Sequence, residues 1–129
     1  MGNLQLTETD MATLMIVKAL DDFKTEDSAD NNLDYKMRAF TFEEDEEGMT
    51  AKEYDDALTK FEQMGILVEN EFILTLKGKA LMVALSAMEK LTDDVKRGII
   101  NGTIKAVDFV KENKAEIVAI LIAVWQKYN

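Results

Sequence analysis

The sequence predicts a mainly α-helical protein with one small β-hairpin. Three observations carry that expectation. Apolar residues recur at spacings of three and four through much of the 129-residue chain, which contains no proline to interrupt a helix. Capping residues stand where those periodic runs begin. In the middle, GILVENEFILTLKGKAL at residues 65–81 sets two β-rich runs, ILV and FILTL, around the polar ENE.

The first helix is TETDMATLMIVKALDDF. Thr7 and Asp10 cap it, and acids crowd its first turn, where the helix dipole favours them. Met11, Leu14, Met15, Ala19 and Phe23 share a face, and Ile16, Val17 and Leu20 widen it, which implies burial against more than one neighbour. KTEDSADNNL is a polar loop, followed by a short helix over residues 34–40 with Leu33, Met37 and Phe40 on one face. The acid run EEDEEG repels itself and stays solvated. Thr50 and Glu53 then form a capping box, with Met49 and Tyr54 as its hydrophobic staple. Tyr54, Ala57, Leu58, Phe61 and Met64 follow at helical spacing, and Gly65 occupies the left-handed position past the helix end.

The hairpin comes next, with Asn70 taking its turn at little cost. Thr75 caps another helix, with Leu81, Leu85, Met88 and Leu91 on one side. Thr92 caps a short helix, Asn101-Gly102 ends it, and Thr103 caps again. Residues 104–128 contain no breaker. The tail IVAILIAVW is apolar all round, so it is expected to be buried on every side, yet it is far shorter than the about 20 residues that cross a bilayer. Val110, Ile117, Leu121, Val124, Trp125 and Tyr128 are expected to form a homodimer seam. Met15, Met64 and Met88 fall on core faces, so the methionines are expected to pack rather than to line a groove.

Helices, a well-capped third helix, a glycine, a hairpin and another helix make up an order that resembles the winged-helix transcription regulators of bacteria. The words that carry the resemblance are ALTKFEQMGILVE and FILTLKGKAL, within residues 7–91. It implies a winged-helix domain over residues 1–91 and a C-terminal helical arm over residues 92–129 that dimerises. It also implies a third helix that enters the major groove of DNA and a wing that touches phosphates. On that implication Lys36, Arg38, Lys52 and Lys60 make the DNA contacts.

The charges on those elements depart from the family pattern. The third helix sets Lys52 and Lys60 against Glu53, Asp55, Asp56 and Glu62, and the turn Glu69-Asn70-Glu71 has no base. The net charge of −10 divides unevenly: residues 1–71 hold 19 acids and 6 bases, and residues 72–129 hold 6 acids and 9 bases. An acidic front half disfavours nucleic acid and anionic membrane. The charge therefore favours a non-enzymatic interaction module, a homodimer presenting Glu43, Glu44, Asp45, Glu46, Glu47, Asp55 and Asp56 to a basic protein partner. The alternative is a winged-helix DNA-binding regulator.

Catalytic chemistry has little to work with. The chain has no histidine and no cysteine, which excludes the common zinc sites and the Ser-His-Asp and Cys-His nucleophiles. The glycines are scattered, with no phosphate-cradling loop. Carboxylates in solvated runs titrate normally and make poor catalysts. DNNLD at residue 30 lacks the later glycine and acid of a calcium loop. No cofactor and no metal are expected. MGNLQL has Leu6 where myristoylation wants Ser or Thr, and no signal segment is readable, so a cytoplasmic protein without membrane attachment is expected.

Overall fold

Helix formation follows the local signals closely. In the computed structural model, which describes residues 6–23 and 49–128, the elements are α1 (Glu8–Phe23), α2 (Ala51–Gln63), α3 (Leu76–Leu85), α4 (Asp93–Asn101) and α5 (Ala106–Tyr128). At the start of α1, the Asp10 amide donates to Thr7 Oγ1 at 3.1 Å and the Thr7 amide donates to Asp10 Oδ2 at 3.0 Å. Thr50 and Glu53 make the full capping box at α2, and the staple residues Met49 and Tyr54 are buried. Thr75 and Thr92 cap α3 and α4 through the Gly78 and Val95 amides. Gly65 ends α2 with φ +78°, a conformation that costs glycine little. Thr103 does not cap α5; its amide and hydroxyl bond back to Asn101 Oδ1.

The expected hairpin and wing are absent: the described residues contain no β-strand. Leu67 and Leu74 form a single antiparallel bridge. The reason lies in what the flanking residues already do. The amides of Ile66 and Leu67 donate to Phe61 O, which ties them to the end of α2. Thr75 is spent on starting α3, and its hydroxyl also donates to the Gly65 carbonyl. That leaves residues 68–73 to close the loop. They do so with Val68 N to Ile73 O at 2.9 Å and Asn70 at φ 61°. A ladder needs successive pairs, and here there is room for one.

Helix α1 is the hub. It packs against α2, α4 and α5, while α3 packs against α5. Every residue of α1 from Asp10 to Leu20 is buried. The sequence permits this because the acids of α1 cluster at its two ends, leaving Lys18 as the one charge in between. Lys18 Nζ is satisfied by Asp22 Oδ1 at 2.9 Å and Ser86 Oγ at 2.7 Å. Asp22 also accepts from Lys96 at 2.6 Å, so this cluster ties α1 to α4 and to the end of α3. A buried charge left without its partners costs several kcal/mol, on the order of 3–5.

The tail of α5 reverses its expectation. Ile117, Leu121, Val124 and Trp125 are buried, whereas Ala119 and Ala123 are exposed and Ile122 keeps 45% of its surface. Since α1 occupies the centre, α5 lies outside it and meets the core with one face. The helix also bends at Asn113 (φ −124°, ψ 18°), where the side-chain amide donates to Phe109 O at 2.9 Å and competes with the backbone ladder. α4 and α5, expected to form an arm, supply Ile99, Val107, Val110, Ile117 and Leu121 to the same hydrophobic cluster as α1 and α2.

Candidate functional site

The residues expected to act as a site fall partly outside the described residues. Glu43, Glu44, Asp45, Glu46, Glu47, Lys36 and Arg38 lie outside the described residues. On α2, Asp55 and Asp56 are exposed, but Asp56 pairs with Lys52 at 2.7 Å. Glu53 is committed to the capping box, and Glu62 Oε2 accepts from the Asn70 amide at 3.0 Å. Lys60 reaches inward to Asp10 Oδ2 at 2.5 Å, on a carboxylate that is almost wholly buried. The two described lysines expected to touch DNA are thus both engaged with carboxylates of their own chain. Five of the six expected dimer-seam residues, Val110, Ile117, Leu121, Val124 and Trp125, are buried within the single chain, and Tyr128 is exposed.

One titration belongs to this region. Burial, reinforced by the Asp55 carboxylate, pushes the Tyr54 phenol well above its ordinary value of 10.0. Burial pulls Lys96 down, but its bonds to Asp22 and Asp93 outweigh that and hold it above 10.5. In both cases the unfolded chain loses its proton at a lower pH than the folded one. The stability they contribute is therefore complete below about pH 10 and declines as pH rises beyond it. Lys52 is held above its ordinary value by Asp56, and Lys77, held below its own by burial, acts in the opposite sense, one group against three. The expected result is a urea midpoint that falls above about pH 10, with a shallower fall in Tyr54→Phe. Identical alkaline slopes in the two proteins would remove Tyr54 from the cause.

The most distinctive surface is one the sequence reading passed over. Helix α3, LKGKALMVAL, carries apolar residues on two opposite faces but is covered on one. It buries Gly78, Leu81, Met82 and Leu85, while Leu76 keeps 84% and Val83 keeps 73% of its surface. At 100° per residue Leu76, Ala80 and Val83 share the face opposite Leu81 and Leu85. Beside that face, α3 and α5 enclose a groove of about 470 Å³ lined by Ala80, Val83, Ala84, Ala123, Val124, Lys127 and Tyr128. The alanines form its shallow floor. At one side Lys77 lays its ammonium 4.0 Å from the centre of the Trp125 ring.

The two stretches that line this groove carry charge of one sign. Helix α3 carries Lys77 and Lys79 and no acid. Over residues 117–128 of α5 the one charged residue is Lys127. The signal was present in the sequence as apolar residues on the wrong side of the Leu81–Leu85 line. Reading α3 by its inward face alone hid it.

Among the described residues no group of three or more acids could hold a metal ion, and no helix is long and apolar enough to cross a membrane. The chain matches no protein-family model, no curated protein and no solved structure, so the function rests on the surface just described.

Proposed function

We propose that this chain is a protein-interaction module that works by docking a helical segment of another protein on the α3–α5 face, without chemistry of its own. The observation that carries this reading is the outward apolar face of α3. An apolar helix face is normally covered. Here Leu76 and Val83 stand in water, two turns apart, about 10 Å along the helix. That spacing matches the i, i+3, i+4, i+7 anchors by which helices occupy hydrophobic grooves. The buried charged groups support the non-catalytic part, since Asp10 and Lys18 are each satisfied by partners within the fold.

A photo-crosslinking residue at Val83, incorporated in cells that naturally make the protein, tests the reading. A discrete protein adduct is expected, lost when Leu76→Asp is added and absent when the crosslinker replaces Thr59 on the outer side of α2. No adduct at Val83, or the same adducts from both positions, would refute it.

A further inference from the structure

We infer that the groove between α3 and α5 takes an acidic amphipathic helix of a different protein, its apolar side on Val83, Ala84 and Ala123 and its carboxylates against Lys79 and Lys127. This rests on the docking reading above and adds the chemistry of the partner. The observation behind it is a local inversion of charge. The chain as a whole carries −10, yet the two stretches that build the groove hold three lysines and no carboxylate. Lys127 lines the groove itself, and Lys79 is exposed one turn before Val83, on the same side of α3. Lys77, lying over Trp125, adds to the same positive field.

The alternatives fit less well. Two copies related by a two-fold axis would press the same lysines against each other with no acid on α3 or on residues 117–128 to meet them, and like charges across an interface suppress association. Among the described residues, a head-to-tail copy meeting the groove with α2 would offer Ala51, Lys52, Glu53, Asp55, Asp56, Thr59 and Gln63, acidic but without large apolar side chains to fill it. An anionic membrane would attract the lysines but repel the rest of a chain this acidic. An acidic amphipathic helix answers the groove's apolar floor and its positive rim together.

Three synthetic helical peptides with one shared leucine face and Glu, Gln or Lys on the flanking positions provide the test, titrated by fluorescence anisotropy into the full chain. The Glu peptide is expected to bind roughly fivefold tighter than the Gln peptide, with the Lys peptide weakest and the spread shrinking as salt rises. Val83→Asp should abolish binding of all three. Lys79→Glu with Lys127→Glu should invert the order, so that the Lys peptide binds best. These positions are exposed, so the folded state persists by circular dichroism.

Equal binding of the three peptides, or none, overturns the acidic partner. If Val83 still crosslinks a protein in that case, the docking reading survives without it. A concentration-dependent dimer by sedimentation that Val83→Asp dissolves would assign the groove to a second copy. Binding to phosphatidylglycerol vesicles that Val83→Asp removes would assign it to a lipid surface. Either result overturns the proposal.

Discussion

Leu121→Asp is expected to unfold the chain, not to release a folded monomer from a dimer. Leu121 is 1% exposed and lies between Ile117 and Trp125 on the inner face of α5, which packs on α1 and α3. Truncating such a leucine to alanine costs about 2–5 kcal/mol through lost transfer energy and the cavity left behind. Aspartate loses the same contacts and puts a carboxylate into a site that is 1% exposed, a further penalty of several kcal/mol. Domains of this size hold about 5–15 kcal/mol in total. Circular dichroism should show loss of helix for Leu121→Asp and a cooperative but weakened transition for Leu121→Ala. A folded Leu121→Asp of lower mass than the parent would show that this side chain faces a second copy after all.

Gly78→Ala should destabilise, although glycine inside a helix ordinarily costs about 1 kcal/mol relative to alanine. The sign reverses because of what lies beside it. A Cβ at Gly78 would sit 2.2 Å from the Ile66 carbonyl oxygen and 3.1 Å from both Ile66 C and Leu74 Cδ2. The obstacle is backbone, and that backbone is held. Ile66 N donates to Phe61 O at 2.8 Å, and Ile66 O accepts from Thr75 N at 3.0 Å. To admit one methyl group, α3 must move away from the turn that joins it to α2, or the Thr75 cap must open. Overpacking of this kind costs about 1–3 kcal/mol, enough to outweigh the gain in propensity. The urea midpoint of Gly78→Ala should fall, while Lys79→Ala, one residue on and exposed, should stay within about 0.5 kcal/mol. A raised midpoint for Gly78→Ala would mean that the helix and the turn are further apart than this.

The two results bear on how the fold arises. Gly78 reads in the sequence as a weak point in a helix, and nothing local says that it is the place where α3 passes over the Ile66 carbonyl. Leu121 reads as one apolar residue in a run that is apolar everywhere. The expected hairpin and wing are absent for a related reason. ILV and FILTL have strand composition, but the amides and carbonyls at their outer ends are already taken by α2 and by the Thr75 cap, so one bridge is all that remains. Composition describes what a segment prefers, and hydrogen bonds taken by its neighbours decide what it can still form.

The candidate site was legible in part. Charge asymmetry between the two halves of the chain was plain, and it correctly separated an acidic front from a basic back. On α2 the acids Glu53, Asp56 and Glu62 are used within the fold, whereas Lys127 of α5 lines the open groove.

By itself the sequence determined where helices begin and end in most of the described chain. Thr7, Thr50, Thr75 and Thr92 cap through atoms three residues away, and Gly65 takes a conformation that depends on its missing Cβ alone. Such signals act within a turn, so one dimension is enough to read them. Tertiary structure alone decided which apolar helix lies at the centre and which keeps a face in water. Both α1 and the tail of α5 are apolar enough to be surrounded, but the centre holds one helix. Covering α1 on several sides consumed the inner faces of α2, α4 and α5, and Leu76 and Val83 of α3 keep 84% and 73% of their surface.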